Sequence, residues 1–188
     1  MRRLAFLDAN VLAKPFTRTM IVVGAAQADS DYVVGWSEYA EAEANRHLRP
    51  QAKRLDVFRS ERGLHLSPAA TDSERFDGTD PKDRQILADA VAAGARWLVT
   101  ENVTDFGWGD LRSTGVTAIH YDLFLADHLG VAAYRTALNI LSHGAVSAEI
   151  IHAGVALVHP RLFAAMAAEF PGVAPRQSPH QPPREVIR

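Results

Sequence analysis

The chain has 188 residues, a formal net charge of −2 and no cysteine. That length fits one domain with a small addition. Disulfides and thiolate metal sites are excluded, and the balanced charge lacks the basic footprint usual in nucleic-acid binders. No apolar run is long enough to span a bilayer, and the first residues lack the order of a signal peptide, so the expected location is the cytoplasm. Without thiolates, a bound metal would be a hard cation such as Mg²⁺ or Mn²⁺, and a cation in an acidic site would change the local field.

In chain order, 3–7 ends in the apolar run Leu4-Ala5-Phe6-Leu7, followed by Asp8-Ala9-Asn10. This reads as a buried first strand with Asp8 at its C-terminal tip, although Asp and Asn also suit an ordinary turn. Residues 16–27 read as a helix with Thr17 as N-cap. Arg18 then falls in the first turn, where a cation opposes the helix dipole. A phosphate contact would give Arg18 a reason to be there, and a solvated side chain is the plainer reading. Residues 32–35 form a second strand, and Ser37 caps a helix over 38–48 that holds Glu38, Glu41 and Glu43. A polar helix follows over 51–61, buried through Leu55 and Phe58, then a short strand over 64–66 and an acidic turn over 68–78.

The stretch 79–105 is the most informative. Asp83 opens a helix whose apolar face is Ile86, Leu87, Ala90 and Val91, and Gly94 stops it. Trp97, Leu98 and Val99 are uninterrupted by polar residues, as in a strand buried on both faces. Asp105 falls near the end of that strand, where open α/β sheets bind ligands. Residues 116–120 make a last strand. The alternation of strands and helices argues an α/β/α sandwich with a mostly parallel sheet. Beyond 121 the pattern is all helical, over 122–129, 131–142, 147–158 and 161–169. Residues 171–188 are Pro-rich and expected to be disordered. The resulting division is 1–121 as the α/β domain, 122–170 as a helical extension and 171–188 as a tail. Five histidines, His120, His128, His143, His152 and His159, lie in or beside this region without ligand spacing, and read as ordinary surface or satisfied interior residues.

Asp8, an acid of the 38–48 helix, Asp83 and Asp105 would reach one sheet edge. Carboxylates crowded together repel one another unless a cation neutralises them, so the cluster reads as a divalent site of one or two metals suited to phosphodiester hydrolysis. Asn10, Thr100 and Asn102 would hold the acids in place. Asp80 is either a ligand or the cap of the turn before Asp83. Lys82 and Arg84, with Arg18, are candidates for the substrate's phosphates.

Leu7-Asp8-Ala9-Asn10-Val11-Leu12, the helix from Ser37 to Leu48 with Glu43 six residues after the Ser, Asp80-Pro81-Lys82-Asp83-Arg84-Gln85-Ile86-Leu87-Ala88-Asp89-Ala90, and Thr100-Glu101-Asn102-Val103-Thr104-Asp105-Phe106 together resemble the PIN-domain family. That family includes the VapC-type toxin ribonucleases, and the C-terminal helices resemble those of a bacterial subgroup. The resemblance implies a PIN-like three-layer fold and a Mg²⁺-dependent endoribonuclease acting on RNA. It also implies an inhibiting antitoxin and a homodimer, with Asp8, Glu43, Asp83 and Asp105 as both metal ligands and catalytic residues. The family more often has an acid where Asn102 stands, which passes the fourth position to Asp105. A different class of function, a catalytically inactive PIN fold that acts only through protein or RNA partners, would be free to replace these acids. A phosphotransfer domain would need a lysine after a later strand, and Lys14, Lys53 and Lys82 do not supply one.

Overall fold

A computed structural model describes residues 2–142 and 146–177. Four parallel strands form one sheet: β1 (Arg3–Leu7), β2 (Tyr32–Gly35), β3 (Trp97–Thr100) and β4 (Thr117–His120), in the order β2-β1-β3-β4. Parallel neighbours need crossover connections. α1 (Ala9–Leu12) and α2 (Pro15–Ala25) join β1 to β2, and α3 (Glu38–His47), α4 (Leu55–Glu61) and α5 (Arg84–Ala92) join β2 to β3. From β3 to β4 the chain runs through a 3₁₀ turn (Val103–Asp105) and α6 (Trp108–Thr114). All four residues of β3 are buried, as a strand covered on both faces must be.

The result is a three-layer α/β/α sandwich. α2 packs with α7 (Tyr121–His128), which also touches β3 and β4, while α3 and α5 pack together elsewhere. Phe6, Leu7, Leu98 and Val99 are fully buried between the layers. Each such side chain contributes on the order of 1.5–3 kcal/mol relative to remaining in water. α8 (Val131–Ser142) lies on α2, α9 (Ala148–Val155) on α8, and α10 (Pro160–Ala165) on α7 and α9. Asp122 fixes that last contact by accepting the Arg161 and Leu162 N–H groups at 2.9 and 3.0 Å, which caps α10 from a different helix. The C-terminal helices therefore share one core with the sheet. Among the described residues no helix is long and apolar enough to cross a membrane.

Several expectations change. Residues 64–66 form no strand; a backbone bond from Ser67 N–H to Trp36 C=O, at 2.9 Å, runs beside the end of β2. Thr17 is not a cap, because α2 begins at Pro15, whose missing N–H and fixed φ suit the first helical position. α4 starts at Leu55 rather than 51. α6 had no counterpart in the sequence reading. Of the tail, 171–177 is turn and loop, with Arg176 N–H bonded to Ala153 C=O at 2.9 Å, while 178–188 lies outside the described residues, as does His143. His152 and His159 are wholly buried; His152 Nε2 and His159 Nδ1 lack a hydrogen-bond partner among the described residues, His159 Nδ1 standing 3.9 Å from Asp122 Oδ1, so neither ring is fully hydrogen-bonded.

The loop before α5 and the loop after β3 meet backbone to backbone. A Cβ on Gly107 would stand 2.5 Å from the carbonyl carbon of Gly78 and 2.6 Å from its oxygen. Asp80 N–H donates to Asp105 C=O at 2.8 Å, and Gly107 N–H to Thr79 Oγ1 at 3.0 Å. Gly107→Ala must push these loops apart. It should cost on the order of 1–3 kcal/mol in urea unfolding; unchanged stability would show that the loops are not clamped there.

Candidate functional site

The chain's direction across the sheet reverses at β1 and β3, and the crevice at their C-terminal ends is where such sheets take ligands. Asp8 follows β1 there and is 3% exposed. Its backbone N–H bonds Val99 C=O at 3.1 Å, and its Oδ2 accepts from Thr100 Oγ1 at 2.6 Å and Asn10 Nδ2 at 2.7 Å. Asn10 in turn accepts Glu101 N–H at 3.1 Å, and Thr100 Oγ1 accepts Asn102 N–H at 3.1 Å. These bonds lock β1, α1 and the end of β3 into one frame.

A cleft of about 610 Å³ opens from this frame. Asp8, Asn10, Glu43, Asp80, Lys82, Asp83, Asn102 and Asp105 all line it. Glu43 is the acid of α3 that reaches it. Glu41 is buried instead, accepting from Trp36 Nε1 and Arg59 Nε, both at 2.8 Å, and Glu38 is exposed outside the cleft. Asp80 fills the turn role through its Oδ1, which accepts Lys82 N–H at 3.0 Å, and also lines the cleft.

Two of the candidate phosphate contacts fall elsewhere. Arg18 is 3% exposed, its guanidinium over the Phe58 ring and one N–H donated to Leu12 C=O at the end of α1. Burial and the nearby Arg62 lower its pKa to about 10. The conflict with the dipole at the start of α2 is thus resolved inward, at the carbonyl end of α1. Arg84 holds the preceding loop through Thr79 C=O, Asp77 C=O and Glu74 and does not line the cleft. Lys14 and His47, not singled out from sequence, do line it. His47 stands four residues after Glu43, on the same helix face, which is the signal that would have found it. Lys14 pairs with Glu101 at 2.8 Å.

The acids feel one another. Asp83 is pushed up to about 6, first by burial and then by Asp8, Asp105, Asp80 and Glu43. Asp8 is raised by burial, with Glu43 adding to it and the Thr100 hydrogen bond opposing it. Among the described residues, however, no three carboxylates or imidazoles converge tightly enough to enclose a cation. The two observations fit together if the cation is Mg²⁺. It keeps much of its water shell and needs only one or two carboxylates beside the substrate's phosphate. The donor set, hard oxygens crowded to the point of raised pKa, suits such an ion.

Comparison with protein-family models found no match, and searches of the curated proteins and of the solved structures also returned none.

Asp83 provides a pH test. Its folded pKa, about 6, lies above the ordinary 3.8, so the native state binds more protons between those values. Stability contributed by this group therefore falls as pH rises through that window. Asp83 makes no side-chain cap bond to α5, so Asp83→Asn removes the repulsion without removing a hydrogen bond. In metal-free buffer the variant should melt above the wild type at neutral pH, with the gain vanishing below about pH 4. A gain independent of pH would mean that the charge of Asp83, disfavoured by burial and by its neighbours, is not its source.

Proposed function

We propose that this chain is a Mg²⁺-dependent endoribonuclease of the PIN type. We take it to be the toxin of a toxin–antitoxin pair, working in the cytoplasm and forming a homodimer. The observation that carries the reading is the convergence of Asp8, Glu43, Asp80, Asp83 and Asp105 on one cleft, where the neighbouring acids add to burial in raising Asp83. Acids from separate segments share one cleft at the switch point of a parallel sheet, and such crowding calls for a cation. Asp8, Glu43, Asp83 and Asp105 would hold Mg²⁺, with Mn²⁺ an alternative. When bound, the cation stabilises charge developing on the phosphate and lowers the pKa of a bound water.

The chain's own residues prepare that site. Thr100 and Asn10 fix the Asp8 carboxylate in one orientation, and Lys82 sets positive charge on the rim for the substrate's phosphates. In the absence of a cation, Asp83 retains its proton to about pH 6 and so limits the charge in the cleft. A toxin must also be silenced. An Arg from a small antitoxin would pair bidentately with these carboxylates and compete with Mg²⁺, so each would weaken the other's binding.

Asp8→Asn and Asp83→Asn should abolish Mg²⁺-dependent cleavage of a generic RNA while the fold, followed by circular dichroism, is kept. Thr100→Val, which removes the donor that orients Asp8, should cost on the order of 10–100-fold. Cleavage at the wild-type rate by either Asp variant would sink the assignment. RNA bound but never cleaved by the wild type would favour the inactive binding module instead. Expression of the wild type in its own host should slow growth, and expression of Asp83→Asn should not.

A further inference from the structure

Beside the acid cleft lies a second groove of about 610 Å³, and the two share Lys14 and His47. Its walls come from distant parts of the chain. Phe16 belongs to the first turn of α2, His47 and Arg49 to the end of α3 and the loop beyond it, and Leu157 and Val158 to the turn after α9. The C-terminal helices thus complete a surface that begins at the carboxylates.

The groove has two kinds of wall. His47 and Arg49 are exposed, and the side chain of neither has an ion-pair or hydrogen-bond partner among the described residues. Leu157 and Val158, in the same lining, are 45% and 52% exposed and present an apolar surface to the groove. Phe16 is half-buried, stacked on His159 at 5.8 Å, and also lines the groove. The unpaired guanidinium of Arg49 and the exposed imidazole of His47, beside an aromatic ring and aliphatic side chains, match a single strand of nucleic acid, in which each base carries a charged phosphate; Glu101, also in the lining, is paired with Lys14. A basic peptide would meet repulsion at Arg49. An acidic peptide would gain at Arg49 but has no use for the acid cleft that continues the groove. A phosphodiester chain satisfies both ends once a cation occupies the cleft, and in this the inference rests on the nuclease reading.

We infer that this groove, walled by Phe16, Arg49 and the Leu157–Val158 turn, binds the single-stranded RNA flanking the phosphate held at the acid cleft. Phosphates lie along Arg49 and His47, and a base lies against Phe16 and the aliphatic wall. Stacking of this kind needs unpaired bases, so the same sequence in a duplex should bind more weakly.

The test uses a short fluorescein-labelled single-stranded RNA with phosphorothioate linkages, which keep the charge and slow hydrolysis. Its binding is followed by anisotropy in Mg²⁺ at several salt concentrations. Arg49→Glu and Val158→Asp, both at exposed positions, should each weaken binding by about tenfold or more, comparable to losing one stacked base, with unchanged thermal melts. Arg49→Ala should also reduce the slope of log affinity against log salt by about 0.7, the share of one phosphate contact on a single strand. Phe16→Leu, which keeps an apolar side chain against His159, should weaken binding as well. If the wild type binds this RNA and neither Arg49→Glu nor Val158→Asp changes the affinity, the groove assignment fails and the nuclease reading stands. If the wild type neither binds nor cleaves RNA, both fail. If the variants lose a copurifying protein and keep their RNA affinity, the groove belongs to a protein partner and the inference is overturned.

Discussion

The hydrogen bond from Thr100 to Asp8, 2.6 Å long and closed off from water, joins the ends of the two central strands. A buried carboxylate is costly unless donors surround it. Thr100 and Asn10 donate to one of its oxygens, and the backbone N–H of Asp8 is held in turn by Val99. The direction of α1, the position of Asn10 and the path of the chain after β3 all follow from that small network. Arg18 extends it from behind by holding the carbonyl end of α1, so the single turn that carries Asn10 is fixed at both ends.

The other acids arrive at a cost. Asp83 and Asp105 sit on loops whose backbones touch at Gly78 and Gly107, and Thr79 ties them further by donating to Asp110 at 2.8 Å and accepting from Gly107. These contacts keep carboxylates together against their repulsion, which adds to burial in raising the pKa of Asp83 to about 6. The fold spends stability to keep the cleft acidic, as functional sites commonly do. A cation that relieved the repulsion would return part of that stability on binding.

Most of the sheet was legible because β1 and β2 are short runs closed by Asp8 and by Gly35 with Ser37 beyond it, and β3 is an uninterrupted apolar run ending at Thr100. Gly94 marks the end of α5 with φ 70°, and Ser37 caps α3 by accepting Ala40 N–H at 3.3 Å, both as local chemistry dictates. The run at 64–66 misled because an isolated pair of leucines with no partner strand carries the same pattern as a real one. α6 escaped because its seven residues include Gly109 and bury none of their side chains, so no periodicity marks it. Topology would have supplied it, since β3 and β4 are parallel and need a crossover. Asp8, Asp83 and Asp105 could be found as acids at strand or helix ends. The choice among Glu38, Glu41 and Glu43 could not be made from spacing, because it depends on Trp36 and Arg59 drawing Glu41 inward. Arg18 was misplaced for the same reason: whether a long cationic side chain turns toward water or toward Phe58 is decided by tertiary packing.

α2 joins early and late parts of the chain. It forms from residues 15–25, yet α8, at 131–142, covers it. During synthesis the chain emerges from its N-terminus at about 5–20 residues per second. Every carboxylate of the cleft has therefore been synthesised before the helix that covers α2. For several seconds at that rate, an apolar helix face waits for its cover while the segments of the acid cleft are already present. The last helices therefore determine when α2, and the core it shares with the sheet, is fully covered.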